Sequence, residues 1–453
     1  MKQAKIKTAA GNVDLLQGPI FKSLVLFAIP LFVSNVFQQL YNTVDTMIVG
    51  NYLGDMSLAA IGSCSSVFEL LVGFALGIGN GLSLVAARSF GAGDEKRLKQ
   101  SVAGAVVIGI LASIVISVVG SACLYPLLRL LHTPAEIIDE AYSYISVIAV
   151  SVIVMFSYNL CAGLLRAIGN SVMPLVFLVV SSCLNIFLDL LFITKFHMGV
   201  RGAAFATVIS QGTSVMLCIF YIMKKARLLI PYREHFKADK GLYQELTGQG
   251  LSMGLMSCIV SAGSVVLQYG INGLGYLLIA AHTSARKLFM FFNMPFASMA
   301  LAVSTFVSQN RGANQGKRIR RAIKSAYIYD VLLAVGITVI LWFAAPTLIR
   351  LISGSEEKTV LENGALALRV IGPFYAVLGV LLETRYSLQG LGLKILPLIS
   401  SLMEFAGKVI FVVLLIPRFQ YMAVVFCEPV IWCFMTVQLV YTFYTNPFIR
   451  EAK

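Results

Sequence analysis

The chain is predicted to be an all-α integral membrane protein, with 12 transmembrane helices in two pseudo-symmetric sets of six. Three observations lead there. Of the 453 residues, 58% are hydrophobic and 12% are charged, with mean hydropathy +0.84; a soluble domain carries about 25% charge. Apolar runs of about 20 residues, long enough to cross a bilayer, recur along the whole length. Finally, the sequence repeats itself at an offset of 221. Leu53-Gly54, Ala59-Ala60, Ser63, Phe68, Ser83, Gly91-Ala92 and Lys96-Arg97 return as Leu274-Gly275, Ala280-Ala281, Ser284, Phe289, Ser304, Gly312-Ala313 and Lys317-Arg318, 11 identities over 45 ungapped positions. Apolar helices share Leu and Ala by chance, so the Leu-Gly, Gly-Ala and Lys-Arg pairs carry the weight. Internal repeats of this kind are frequent in transporters.

The first six spans are expected near 22–50, 58–86, 102–124, 141–165, 172–193 and 199–223. The second six follow near 250–272, 278–307, 323–344, 365–386, 395–416 and 421–444. The amino-terminal set occupies 1–223 and the carboxy-terminal set 248–453. The polar stretch 224–247 between them reads as a solvated cytoplasmic connector. Lys2, Lys5 and Lys7 precede the first span, which lacks a small-residue cleavage site and is too long for a signal segment.

Net charge is +14. Its placement speaks against nucleic acid: the basic residues gather in alternate loops, as the positive-inside rule requires. Arg88, Lys96, Arg97 and Lys99 follow the second span, and Arg311, Lys317, Arg318, Arg320 and Arg321 follow the eighth. The opposite loops are poor in Lys and Arg and include Glu136, Asp139, Glu140, Glu356 and Glu357. Both termini are therefore expected in the cytoplasm, with the basic loops touching anionic lipid headgroups. The eight cysteines at 64, 123, 161, 183, 218, 258, 427 and 433 are dispersed in apolar runs and read as packing residues.

Polar residues inside hydrocarbon are expensive, so each one marks a candidate site. The first span carries Gln38, Tyr41, Asn42 and Asp45 at i, i+3, i+4 and i+7, one helical face. Pro30 upstream removes a backbone hydrogen bond and permits a kink, which makes it the candidate hinge. The fifth span carries Asn185 and Asp189 one turn apart. The sixth has Thr207, Ser210, Gln211 and Ser214 on one face, although such hydroxyls often bond back to their own helix. Asn159 stands alone in the fourth. If the first, fifth and sixth spans meet, two carboxylates converge at low dielectric and can hold a proton or a small cation, the chemistry of ion coupling. The alternative is an interhelical hydrogen-bonded pair; coupling is preferred because one hydrogen bond does not require two acids.

The later half is not a chemical copy, since Asp45 aligns with Val266. It carries Glu383, Glu404, Lys408 and Glu428. Glu404 and Lys408, one turn apart, read as a self-neutralising pair, and Arg286-Lys287 as snorkelling near a span end. Glu428, Glu383 and Glu69 could line a cavity. Gly73, Gly77 and Gly81 allow close helix packing. Enzyme motifs are missing: there is no phosphate-binding glycine loop, zinc-protease helix or nucleophile elbow. The histidines at 132, 197, 235 and 282 lack metal-ligand spacing.

Across nearly its whole length the chain resembles the multidrug and toxic compound extrusion family. The likeness rests on Ala28-Ile29-Pro30, Tyr41 to Asp45, Val49-Gly50, Leu53-Gly54 with Ala59-Ala60, Gly91-Ala92, Arg166 to Gly169, Asn185 with Asp189, Gly202 to Thr207, and Gln309 to Ala313. The resemblance implies two six-helix lobes around a central cavity. It also implies efflux of amphipathic, often cationic small molecules in exchange for Na⁺ or H⁺. It assigns cation coupling to Asp45, Asn185, Asp189 and Thr207, nearby polar positions to Gln38, Tyr41 and Asn159, and the bend to Pro30; Asn42 joins the cavity group by its place on the same face. The chain departs from members of that family that couple through the carboxy-terminal lobe, since the seventh span has no acid between Leu251 and Asn272, so a carboxy-terminal ion site is not expected.

The expectation is thus a secondary antiporter working by alternating access, a monomer in the inner membrane, needing no cofactor and no metal beyond a coupling Na⁺. A lipid-precursor flippase is the alternative, but it calls for a basic cavity. A passive channel calls for polar stripes from both sets, whereas here they concentrate in one.

Overall fold

A bilayer offers no hydrogen bonds to the main chain, so a spanning chain satisfies its own backbone by coiling into helices. In the computed structural model, which describes residues 12–131, 133–237 and 239–451, no strand occurs among the described residues. Lys2, Lys5, Lys7 and His132 fall outside them. The helices in chain order are α1 (Ile20–Leu53), α2 (Asp55–Ser63), α3 (Ser65–Gly91), α4 (Glu95–Leu130), α5 (Ile138–Val150), α6 (Val152–Ala167), α7 (Val172–Leu190), α8 (Gly199–Lys225), α9 (Lys240–Asn272), α10 (Tyr276–Gly312), α11 (Gly316–Ser353), α12 (Lys358–Gly390), α13 (Ile395–Ile410), α14 (Ile416–Phe419), α15 (Tyr421–Thr445) and α16 (Pro447–Arg450).

Among the described residues eleven helical segments are long and apolar enough to span a membrane, and the α5–α6 pair supplies a twelfth as a span bent by 48°. That bend falls inside the fourth expected span. Ser151 leaves the helical region (φ −96°, ψ 10°), and its N–H is shared between the carbonyls of Val147 and Ile148.

The 221-residue repeat is written in the backbone. Gly54 (φ 87°) and Gly275 (φ 95°) reverse the chain ahead of α2 and α10, a conformation that L side chains disfavour. Gly93 and Asn314 share positive φ at the same offset, and Gly169 with Gly392 and His197 with Gln420 do so at an offset of 223, two residues longer. Each set also contains a π-helical turn, Leu191–Lys195 after α7 and Phe411–Leu415 after α13.

Among the described residues the chain forms two compact units: residues up to Gly18 with Leu26–Cys258, and Pro19–Val25 with Ile259 onward. The first has two apolar cores. One gathers Leu82, Leu98, Phe156, Leu165, Cys218 and Leu246; the other gathers Val49, Leu128, Ile145, Ile193 and Ala204. Within this unit α3 meets the start of α9 backbone to backbone. A Cβ on Gly77 would lie 2.5 Å from Met253 O, and one on Gly81 2.5 Å from Gln249 O, whereas Gly73 has only Ser257 Cβ at 4.0 Å. The second unit is organised on a run of aromatic rings. Trp432 stacks on Phe289, Phe289 on Tyr375 and Tyr375 on Phe296, at 5.8, 5.8 and 5.6 Å.

The stretch 224–247 is less solvated than its polarity suggests. Leu229, Leu242 and Leu246 are buried in the first core, α9 begins inside it at Lys240, and Glu245 pairs with Arg88 at 2.9 Å and Arg97 at 3.2 Å.

Candidate ion-coupling site

Helix α1 carries Asp45 with its side chain turned into the first unit, α7 carries Asn185 and Asp189 one turn apart, and α8 carries Thr207. The helices bring these four together. Asp45 lies within hydrogen-bonding reach of Asp189. Asn185, with its amide oriented as the network requires, donates from Nδ2 to Asp189 Oδ2 at 3.2 Å, and its Oδ1 accepts from the Thr207 backbone N–H at 3.3 Å. Tyr41, one turn before Asp45, reaches the Thr207 side chain. Asp189, Asn185 and Thr207 are 0%, 1% and 5% exposed. Val44, Ile186 and Val208 pack beside them against the second apolar core, which keeps the local dielectric low.

The arrangement is acidic and uncompensated. Asp45 Oδ1 and Asp189 Oδ1 are buried without a hydrogen-bond partner among the described residues, and among these no Lys, Arg or His acts on either acid. Two such carboxylates facing one another repel, and either a proton or a small cation between them removes the repulsion. The oxygens of Asp45, Asp189, Asn185 and Thr207 suit a hard monovalent ion as well as a proton. Among the described residues no three His, Cys, Asp or Glu side chains group as a metal centre.

The other candidates make contacts of their own. Gln38 and Asn42 are on an exposed flank of α1, where Asn42 Nδ2 donates to Gln39 Oε1 at 3.5 Å. Asn159 turns back on its own helix and donates to Met155 O at 2.7 Å. Ser210 does the same to Ala206 O, while Ser214 crosses to Phe177 O on α7. Pro30 is buried within α1, its carbonyl accepting from Ser34 Oγ at 2.8 Å. Sequence reading missed Tyr144 of α5, which is 7% exposed and feels both acids as well as Tyr41. Its pattern is that of an ordinary core aromatic, so nothing in the sequence singled it out.

In the second unit, Glu404 and Lys408 pair at 3.0 Å as their spacing suggests, but the pair is part of a longer network. Lys408 also reaches Glu428 at 3.5 Å. Arg385 reaches Glu404 at 3.6 Å and donates to Ser400 at 3.0 Å. Arg286 does not snorkel. It sits well inside α10, donates to both oxygens of Glu428 at 2.8 and 2.9 Å, and lies 4.9 Å from the Phe289 ring. Three cations around two carboxylates leave Glu428 spoken for, with no free negative charge to offer a cation. Glu69 is exposed on α3.

A family model, MatE, matches residues 30–191 and 253–415, so it matches the chain twice. The chain is 30% identical over 348 residues to the probable multidrug resistance protein YoeA of Bacillus subtilis, covering 75% of each chain. It is 28% identical over 395 residues to YpnP of the same organism, another probable multidrug resistance protein, covering 86% of this chain and 87% of that one. Among solved structures it superposes on an outward-facing multidrug resistance MATE family transporter with TM-score 0.88 and 23% identity, over 99% of both chains.

Proposed function

Because the chain belongs to the MatE family of multidrug and toxic compound extrusion transporters, we propose that it is a secondary antiporter that exports amphipathic, cationic small molecules in exchange for H⁺ or Na⁺. It is a transporter rather than an enzyme. The observation that carries the antiport reading is the Asp45–Asp189 pair, steadied by Asn185 and Thr207 and without a cationic partner among the described residues.

In this reading the empty pair is negative and favours a cationic cargo. A proton or Na⁺ arriving from outside neutralises it and removes the repulsion between α1 and α7. Helix α1 is then free to rearrange about Pro30, where the i to i−4 bond is already missing, and Gln38 and Asn42 move with the cargo-facing side of the helix. Cargo affinity falls and release follows, since a ligand shifts such an equilibrium only through differential affinity for its two states. The protein works as a monomer in the cytoplasmic membrane with both termini inside.

The test uses purified protein in liposomes, a fluorescent organic cation, and separately imposed proton and Na⁺ gradients. Accumulation driven by one gradient, and lost in Asp45→Asn and Asp189→Asn at normal folding, is expected and names the ion. Full gradient-driven transport in both variants would remove the coupling role from this pair.

A further inference from the structure

The second unit contains two acids that this mechanism leaves unused. Asp330 lies on α11, and Glu383 lies seven residues before the end of α12. Both are 0% exposed. None of the four carboxylate oxygens has a hydrogen-bond partner, and among the described residues neither acid enters an ion pair with Lys, Arg or His. The two act on each other electrostatically.

Their approach is built into α12. Gly379, one turn before Glu383, would carry a Cβ only 2.6 Å from Asp330 Cβ and 3.0 Å from its Oδ2. The missing side chain seats the Asp330 carboxylate against the α12 backbone, on the face that carries Glu383. Beside the pair, Tyr327 of α11 and Thr384 of α12 share a 2.6 Å hydrogen bond. Tyr327 and Tyr329 are the titratable groups that feel both acids. Among the described residues the helices packed on α11 or α12, namely α10, α13, α15 and α16, bring no charged side chain into an ion pair with them; Glu404 and Lys408 of α13 pair with each other, Arg385 and Glu428 instead.

Two carboxylates stripped of water and of counter-charge cannot both remain ionised without a large penalty. What the pair lacks is a donor. A hydroxyl on either acid supplies it, forming a short O–H···O⁻ bond across the interface between α11 and α12. Hard metal cations ask for six or more oxygens, and among the described residues no third acid, His or Cys joins the two.

We propose that Asp330 and Glu383 form a second proton-binding site, separate from Asp45–Asp189, in which one proton is shared between the two carboxyl groups. Loaded, the pair ties α11 to α12; unloaded, repulsion parts them. Glu383 stands about 10 Å from the end of α12 at 1.5 Å per residue, a stretch where Thr384, Ser387 and Gln389 are all buried and polar. That polar stretch is the route by which the proton exchanges. The coupled role, an additional proton displaced by each cargo molecule, rests on the antiport reading above; occupancy by a proton does not.

The two claims are separated by two measurements on the full-length protein in detergent. Infrared titration in an Asp45→Asn/Asp189→Asn background is expected to show a protonated-carboxyl C=O band at neutral pH that disappears in Glu383→Gln and in Asp330→Asn. Absence of that band in the background protein overturns the site without needing either variant to fold. Proton release on adding a fluorescent organic cation in weak buffer is expected to fall about twofold in Glu383→Gln, whose amide mimics the protonated acid. Wild-type release from both Glu383→Gln and Asp330→Asn overturns the coupled role. No release even from the wild type sinks the antiport reading and the coupled role together, and the infrared band then upholds or overturns proton binding by itself.

Discussion

At Thr207 one residue meets two bonds of different kinds. Its backbone N–H fixes Asn185, and its side chain meets Tyr41. Tyr41→Phe deletes the phenol and leaves the packing. A lost neutral hydrogen bond is worth about 0.5–1.5 kcal/mol, so the half-saturating concentration of the coupling ion is expected to rise between about twofold and tenfold in a gradient-driven transport assay. Glu428 is a different case. It holds Arg286 through both oxygens and also meets Lys408, whose side chain is 1% exposed. Removing one partner of a buried ion pair strands the other and costs about 3–5 kcal/mol. Glu428→Gln is therefore expected to lower the melting temperature in detergent sharply. Pairing it with Arg286→Gln should cost clearly less than the sum of the two single changes, because the charges are lost together. Additive losses would show that the contact contributes little.

The helices themselves make two claims that can be separated. Gly77 and Gly81 press on the carbonyls of Met253 and Gln249, whereas Gly73 has room. Gly77→Ala and Gly81→Ala are expected to destabilise by about 1–3 kcal/mol, the range for overpacking, and Gly73→Ala to leave the melting temperature unchanged; equal effects at all three would contradict the close crossing. For α1, Pro30→Ala restores a backbone donor inside a helix where proline costs about 3 kcal/mol relative to alanine. The protein is expected to become more heat-stable while its transport rate drops severalfold. A gain in stability with unchanged transport would take the hinge away from Pro30. Sequence reading singles out these glycines and this proline because glycine spacing and proline act locally, through the backbone. It does not find the break at Ser151, since no glycine or proline marks the 48° bend between α5, which packs into one apolar core, and α6, which packs mainly into the other.

For the molecule as a whole, the placement of Lys and Arg predicts a sidedness that labelling can test. A chain stripped of its eight cysteines, with single cysteines returned at Lys317 or at Glu356, should react with an impermeant thiol reagent on intact cells only at the Glu356 position. Labelling at Lys317 alone would invert the topology. Membrane class, helix order and the repeat were all legible, because each depends on runs, periods and local conformation. Gly54 and Gly275 recur for a backbone reason: both take positive φ before a helix starts.

In the sequence Asp45, Asn185 and Asp189 already stand out as polar groups against apolar surroundings. What the sequence determined by itself is therefore a bilayer-spanning helical chain with costly polar groups at known depths. The tertiary structure decided which of those groups meet. It set Tyr144 beside Asp45, drew Arg286 inward onto Glu428, left Gln38 and Asn42 exposed, and turned Asn159 back onto Met155 O. It also joined Asp330 to Glu383 across 53 positions of chain. Periodicity assigns a residue to a face of its own helix, but the partner of that face depends on helix rotation and crossing, which packing between distant segments sets. A lone acid in an apolar run shows its cost in the sequence, and only its neighbours show how that cost is met.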